Sequence, residues 1–446
     1  MSHPAETMAI ASTGGTGHQG ASSTRKLVIA IVIAAFALRL LYMVVTGSYL
    51  FPDKLINQRR AKFQVGFETG RVARSIVTGH GFSSPFEGNT GPTAWLTPVY
   101  PYMVAGVFRV LGVYTEASSI AVLTFNALFA ALTCIPIFVI GQRLASRRIA
   151  LWTAALWAVL PSFMEIPMTW IWETALTALL LMLLVLLALE LGKTDNWKPW
   201  FGLGLLWGLA ALTNPSVLSF LPVSLLWAGW QNHRQGRKFI APLAVASLVF
   251  VVAITPWLVR NYRAFGQFVF LRGNFGAELR YGNVVYGRGV WACCSHPSIN
   301  DAEFRKYAQL GEIRYIRMKQ QEATDFIRHY PGIFVGLTVR RIVYFWNGIP
   351  DVWSEDLEPF DMLKTWPYLL LSALGLLGAL EMLRQKQKGA GLLAGLLLIY
   401  PLPYYITYPH ERYRHLVEPV LLLLAVYVFA QTRELHRYFY PDLRRD

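Results

Sequence analysis

The chain has 446 residues, of which 54% are hydrophobic and 15% are charged; its mean hydropathy is +0.38 and its formal net charge is +15. This composition excludes an ordinary soluble globular protein and indicates an integral membrane protein. The positive charge does not require a nucleic-acid partner, because basic residues at the cytoplasmic ends of membrane helices and near anionic lipid produce the same excess. We therefore expect membrane lipids, and no nucleic acid, as partners.

The apolar runs predict an all-α polytopic membrane protein. Residues 1–24 are rich in Ser, Gly, Thr and Ala, which predicts a disordered cytoplasmic tail. The apolar run that follows is about 20 residues long, enough to cross the hydrocarbon core of a bilayer. Residues 25–431 form one membrane domain with about ten spans. The predicted spans are 27–46, 117–141, 149–163, 168–191, 199–213, 216–230, 239–257, 366–383, 389–405 and 416–431.

Basic connectors give the orientation. With the N-terminus inside, the basic loops 143–148, 232–238 and 384–389 and the tail 432–446 all fall in the cytoplasm, as the positive-inside rule requires. Both termini are then cytoplasmic, and the long loops 47–116 and 258–365 lie together on the outer face. The basic inner rims fit a bacterial inner membrane with a periplasmic active site, although an endoplasmic reticulum membrane would give the same pattern.

Two further apolar stretches are predicted to lie at the surface. Residues 99–111 are too short to span, and residues 332–348 carry Arg340 and Arg341 at their centre. Each of these charges would cost about 2.5–3.5 kcal/mol at the middle of a bilayer, so outer juxtamembrane helices are the cheaper arrangement.

Glu68 is the first candidate for chemistry. Residues 58–78 are compatible with a helix that stops at Gly79, and Glu68, Arg71 and Ser75 share one side of it. An exposed Glu–Arg pair at this spacing contributes only a few tenths of a kcal/mol to helix stability, and this is the structural alternative. The functional hypothesis is that Glu68 is a general base on the outer face.

Other polar and aromatic groups are predicted at the same face. Glu173 is a second acidic candidate at the outer end of a span, and arginines follow one span and precede another. Arginine suits phosphate because its planar donor fork matches phosphate oxygens. Headgroup binding and an aromatic belt are the structural alternatives. The candidate phosphate ligands are Arg260, Arg263, Arg412 and Arg414, and the other site candidates are Arg71, His80, Trp95, Tyr100 and His410.

Four stretches carry a resemblance to a known class. They are Glu68 followed by Gly79-His80-Gly81-Phe82, the Pro-rich segment GPTAWLTPVYPYMVAGVF, the segment ITPWLVRNYRAFGQFVFLRGNFGAELRYGN, and HERYRHLVEPVLLLLA. In order and topology the chain resembles the GT-C class of membrane glycosyltransferases, nearest to the bacterial branch related to dolichyl-phosphate-mannose–protein mannosyltransferases and lipid A aminoarabinose transferases. The resemblance runs from about residue 27 to 431.

The resemblance implies transfer of a sugar from a polyprenyl-phosphate donor at the outer face, with inversion at the sugar carbon. It places Glu68 and Glu173 at acidic positions of the family. The basic residue that relatives carry before two prolines is absent from Leu96-Thr97-Pro98-Val99-Tyr100-Pro101, so the phosphate is assigned instead to the four arginines. No cofactor is required, although the scheme leaves room for a divalent cation. The acceptor (protein, lipid or glycan) stays open.

Two alternatives remain at this point. A secondary transporter would also show short, broken helices, but it would normally place ionisable residues at the bilayer midplane rather than in outer loops. A lipid-binding membrane protein would need the arginines but not Glu68.

Overall fold

The computed structural model describes residues 15–50, 68–191, 196–349 and 359–439. Within those ranges the backbone forms helices, three short 3₁₀ turns and a single isolated bridge between Ser83 and Pro92, with no strand. The fold is therefore all-α, as the sequence predicts.

The helices are numbered in chain order. The first ten are α1 (Gly15–Thr46), α2 (Thr69–Val77), α3 (Val99–Leu111), α4 (Glu116–Leu132), α5 (Cys134–Leu144), α6 (Arg147–Val159), α7 (Glu165–Thr169), α8 (Thr174–Leu191), α9 (Trp197–Thr213) and α10 (Leu221–Arg234). The remaining ten are α11 (Ile240–Phe265), α12 (Phe275–Gly282), α13 (Asp301–Leu310), α14 (Glu312–His329), α15 (Pro331–Asn347), α16 (Pro359–Arg384), α17 (Ala390–Ile399), α18 (Leu402–Ile406), α19 (Glu411–His415) and α20 (Glu418–Phe439).

Each predicted span coincides with one of these helices or with a pair of them. Among the described residues, five stretches are long and apolar enough to cross a membrane, and shorter apolar helices accompany them. The five are Ser22–Thr46, Glu116–Leu144, Thr174–Leu191, Ile240–Phe265 and Thr365–Arg384. The chain is a polytopic membrane protein.

Three boundaries differ from the prediction. Helix α1 begins at Gly15, inside the stretch predicted to be a disordered tail, while residues 1–14 lie outside the described part. Residues 58–67 of the helix predicted over 58–78 also lie outside it, and α2 begins at Thr69, immediately after Glu68. The last helix continues to Phe439 rather than ending at 431.

Small residues let the membrane helices approach closely. Gly204 and Gly208, one turn apart on α9, face Ala246 and Ala253 of α11, and a Cβ atom on either glycine would collide with α11. Between apolar helices in lipid, close van der Waals packing of this kind replaces the hydrophobic effect as the source of association. The Gly-rich stretch of α9 is therefore a packing surface.

Helix α15 contains the arginine pair that the sequence places at a membrane surface. Arg340 is exposed, but Arg341 is fully buried and donates hydrogen bonds to the carbonyls of Gly282, Tyr405 and Ile406. The buried charge thus faces protein, where backbone dipoles compensate it. It ties α12 to the segment around α18.

The two long loops pack on each other. Arg260 donates to the carbonyls of Phe82 and Thr93, and the backbone N–H of Gly273 donates to the carbonyl of Ala94 at 2.8 Å. Glu312, at the start of α14, accepts from Thr93 and from the N–H of Ala94. Described residues of the loops 47–116 and 258–365 are therefore in contact, and the candidate site lies at this junction.

Candidate active site

Glu68 sits directly before α2, and its carboxylate points at a histidine from the second long loop. The Oε1 atom of Glu68 lies 3.2 Å from Nε2 of His296, and the side chains are 15% and 7% exposed respectively. Glu68 is thus held in a partly enclosed position. It contacts His296, and it does not form the exposed ion pair with Arg71 that was the structural alternative. Arg71 instead donates to the hydroxyl of Ser298 at 3.2 Å.

The hydrogen bonds of His296 define its tautomer. Its Nδ1 atom accepts from the backbone N–H of Ser298 at 3.2 Å, so the ring proton resides on Nε2 and is donated to Glu68. The ring is enclosed by aromatic side chains whose centroids lie 5.2–6.0 Å away. These are Phe86, Trp95, Tyr281 and Trp291. His296 is therefore a fixed hydrogen-bond donor to the carboxylate.

A cavity of about 50 Å³ opens beside this pair. It brings together residues from both long loops and from the segment before the last span. The lining residues are Glu68, Trp95, Trp172, Arg272, Glu278, Trp291, His296, Tyr408, His410 and Arg412. The structure thus collects four predicted site residues (Glu68, Trp95, His410 and Arg412) at one point.

Arg412 lies in this cavity between aromatic rings. Its guanidinium carbon is 4.3 Å from the ring centroid of Trp172 and 4.8 Å from that of Tyr413, and it donates to the Tyr413 hydroxyl at 2.8 Å. Such stacking fixes the orientation of the planar cation without neutralising it.

Arg272 is the second cavity arginine, and the sequence did not single it out. Its Nε donates to the carbonyl of Trp95 at 2.8 Å, and its Nη2 lies 3.0 Å from Oε1 of Glu278. Glu278 also accepts from Asn274 and from the hydroxyl of Tyr408. The pair is thus anchored on both sides.

A larger cavity of about 220 Å³ adjoins the first and shares Arg272, Glu278 and Tyr408 with it. Aromatic and proline side chains make up much of its other lining. They include Pro215, Phe275, Pro403, Tyr404 and Tyr413. Arg272 therefore stands between a polar compartment with Glu68 and an aromatic compartment.

Glu173 and Tyr100 line a small recess that also contains Arg272. Glu173 accepts a long hydrogen bond, 3.4 Å, from the side chain of Asn214, and Tyr100 donates to Asn126 at 2.9 Å. Both predicted residues are near the site, but neither faces the Glu68 cavity.

The other three predicted arginines are placed elsewhere. Arg260 is committed to backbone carbonyls of the first loop, and Arg263 is exposed. Arg414 is buried, pairs with Glu418 at 2.7 Å and donates to Ser372. Of the four predicted arginines only Arg412 therefore lines the Glu68 cavity, and the second arginine of that cavity is Arg272.

The protonation of the cavity follows from its surroundings. Burial alone would raise the pKa of Glu68, but the hydrogen bond and the electrostatic effect of His296, followed by the charges of Arg272 and Arg412, outweigh it and lower that pKa below its ordinary value. Burial, reinforced by the charge of Arg412, lowers the pKa of His410 to about 3. Glu68 is therefore an anion at neutral pH and His410 is neutral.

Arg71 and His80 line a different cleft, of about 290 Å³, that does not include Glu68. Within the ranges that the structure describes, no group of three or more His, Cys, Asp or Glu side chains is arranged to hold a metal ion.

Several site residues have only weak signals in the sequence. Arg272 and Glu278 lie inside the segment that carried the resemblance, so a search for every charged residue there would have included them. His296 and Tyr408 have no local pattern, because their role depends on partners far away in the chain.

Comparison with known proteins agrees with this fold. The family model of the dolichyl-phosphate-mannose-protein mannosyltransferases matches residues 95–259, which is less than half of the chain. No curated protein sequence matches significantly.

Among solved structures, the oligosaccharyltransferase of Archaeoglobus fulgidus in its apo form aligns with a TM-score of 0.51 at 14% identity, over 94% of this chain and 52% of that one. The same organism's AglB, in complex with an inhibitory peptide and a dolichol-phosphate, gives 0.44 at 12% identity, over 95% and 52% of the two chains. ArnT from Cupriavidus metallidurans bound to undecaprenyl phosphate gives 0.37 at 13%, over 96% and 81%. The chain spans about half the length of the archaeal proteins.

The family match and the fold lead to the same conclusion. The chain resembles the membrane glycosyltransferases of the GT-C class, in sequence over residues 95–259 and in its all-helical membrane fold.

Proposed function

We propose that this protein transfers a sugar from a polyprenyl-phosphate donor to an acceptor hydroxyl, with inversion at the sugar carbon. The observation that carries the proposal is one cavity in which the anionic Glu68 stands with Arg272 and Arg412. The matched family, whose name specifies a lipid-phosphate sugar donor, supports the donor class.

Glu68 accepts the proton of the acceptor hydroxyl as the oxygen attacks C1 of the sugar. His296 cannot take that proton on Nε2, because this atom already carries one and donates it to Glu68. Its role is to orient the carboxylate. A base positioned in this way contributes about 10²–10⁴-fold to the rate.

Arg272 and Arg412 hold the phosphate of the donor. As the new bond forms, the bond between C1 and the phosphate oxygen breaks on the opposite face, and polyprenyl phosphate leaves with the electron pair. That anion needs charge stabilisation rather than protonation, which fixed guanidinium groups supply. The aromatic compartment beyond Arg272 would take the start of the lipid chain. No step of this reaction uses a metal ion.

The cellular setting follows from the orientation deduced from charge. The site faces the periplasm of a bacterial inner membrane, both termini are cytoplasmic, and the partners are the lipid donor, membrane lipids and an acceptor that is a protein, a lipid or a glycan. The reaction requires no cofactor, a divalent cation remains compatible with it, and no nucleic acid is expected as a partner.

The experiment compares Glu68→Gln with the matched control Glu116→Gln, an exposed glutamate at the start of α4. The assay follows label transfer from a panel of polyprenyl-phosphate hexoses and pentoses to a native envelope fraction. Mass spectrometry measures the polyprenyl phosphate that co-purifies with each variant.

We expect Glu68→Gln to lower turnover by about 10²–10⁴-fold while it retains the lipid, because only the base is removed. The control should behave as the wild type. Unchanged turnover in Glu68→Gln would refute the base assignment. Retained lipid without any sugar transfer by the wild type would favour a lipid-binding protein, and solute uptake in vesicles would favour the transporter.

A further inference from the structure

The cleft lined by Arg71 and His80 has no part in the proposed reaction. It has a volume of about 290 Å³, several times that of the Glu68 cavity. Its lining residues are Arg71, Arg74, Ser75, Thr78, His80, Ser84, Phe86, Glu87, Gly88 and Asn89.

The chemistry of this lining suits an anionic, hydroxyl-bearing molecule. Arg71 and Arg74 lie three residues apart on α2, so they project from the same face of the helix. With Glu87 as the acidic lining residue, the two arginines leave the lining with a net positive charge when its histidine is neutral. Serine, threonine and asparagine side chains make up most of the remainder, and they both donate to and accept from hydroxyl groups.

The cleft is close to the proposed base. Arg71 is one helical turn beyond Glu68 and donates to Ser298, which itself donates its N–H to His296. Phe86 lines the cleft and packs against His296 with ring centroids 5.6 Å apart. At this point the side chains of Phe86 and His296 separate the cleft from the Glu68 cavity.

The donor is not a good occupant for the cleft. Neither Arg272 nor Arg412 lines it, and Phe86 is its one large apolar side chain, so it offers little surface for a lipid chain. A polar molecule that approaches from water is the better match.

We propose that this cleft binds the acceptor through an anionic group, either a phosphate or a carboxylate, carried beside the hydroxyl that receives the sugar. Arg71 and Arg74 hold the anion and the hydroxyl-bearing side chains hold the rest of the molecule. This inference rests on the proposed transferase function, of which it specifies the acceptor class.

The test uses Arg74→Gln, because Arg74 is exposed and its replacement leaves the buried contacts of Arg71 in place. Arg263→Gln, at an exposed arginine outside the cleft, is the matched control. Binding of glucose 6-phosphate, glucuronate and glucose to the full-length protein in detergent is measured by saturation-transfer NMR titration.

We expect the wild type and the control to bind at least one of the two anionic probes, and glucose much more weakly. Arg74→Gln should weaken the anionic probe about tenfold, the effect of losing one charge-assisted hydrogen bond. Preference for the phosphate or for the carboxylate probe identifies the anion. In the transfer assay the variant should raise the KM for the acceptor fraction and leave kcat and the co-purifying lipid unchanged.

Equal binding of all three probes, no binding, or equal binding by wild type and Arg74→Gln would overturn the proposal. Its failure is distinguishable from that of the transferase function. If Arg74→Gln leaves the KM unchanged while Glu68→Gln loses turnover, only the proposed acceptor site is refuted. If Arg74→Gln weakens anion binding while Glu68→Gln leaves turnover unchanged, only the assignment of Glu68 as the base is refuted.

Discussion

Replacement of His296 by phenylalanine tests the carboxylate–imidazole pair directly. Phenylalanine keeps an aromatic ring inside the cage of four rings around His296, but it removes the Nε2 donor that lies 3.2 Å from Glu68. The burial that raises the pKa of Glu68 then remains, while the hydrogen bond that lowers it is lost. We therefore expect the pKa of Glu68 to rise.

The size of this rise follows from the kind of bond removed. A hydrogen bond to a charged group contributes about 1.5–3 kcal/mol, so its loss should destabilise the ionised form of Glu68 by about that amount. Glu68 could act as the proposed base only in its ionised form. In the wild type its activity is lost as pH falls through the lowered pKa of Glu68, and in His296→Phe that loss should occur at higher pH.

The assay is the pH dependence of label transfer between pH 4 and 8.5 for the wild type, His296→Phe and His296→Gln. The glutamine variant retains an N–H donor and should shift the acidic limb less. Thermal unfolding in the same buffers checks that each variant is folded. An acidic limb that stays in place or moves to lower pH in a folded His296→Phe variant would refute this account of the pair.

Two further predictions concern stability. Arg341→Met leaves buried carbonyls without a donor and should lower the free energy of unfolding by about 3 kcal/mol or more. Arg340→Gln, at the exposed neighbouring residue, should have little effect. Thermal unfolding midpoints of the two variants in detergent test this difference. Burial, with repulsion from Glu165 and Glu418, raises the pKa of Glu411 to about 7, above its unfolded value, so folding is penalised as pH rises from 4.5 to 7. Glu411→Gln should therefore stabilise the protein by about 1–3 kcal/mol at pH 8 and not at pH 4, and a pH-independent effect would contradict this reasoning.

The helices could be predicted because their cause is local. A run of apolar residues long enough for the bilayer specifies a helix wherever it occurs, and a break such as that at Asn214-Pro215 ends one through residues next to each other in the chain. Helix ends were less predictable. No sequence motif marks the start of α2 at Thr69.

The candidate site was only partly predictable, for the opposite reason. Glu68 and Arg412 could be predicted as site residues from their residue types and from the membrane face on which the sequence places both. Tertiary contacts decide which arginines direct their guanidinium groups at a cavity. Arg260 instead donates to carbonyls of another loop, and Arg414 forms an ion pair with Glu418. Arg272 is identical to them in type and differs only in where the fold directs it.

The division of the cavity among distant parts of the chain has a consequence for biosynthesis. Glu68 emerges early from the ribosome, His296 much later, and Tyr408 and Arg412 only just before the last helix. Arg341 cannot fasten α12 to residues 405 and 406 until those residues have been made. A nascent chain that has inserted most of its helices therefore still lacks the guanidinium of Arg412 and the hydroxyl that supports Glu278. On the proposed mechanism, such a chain therefore lacks one of the two arginines assigned to the donor phosphate.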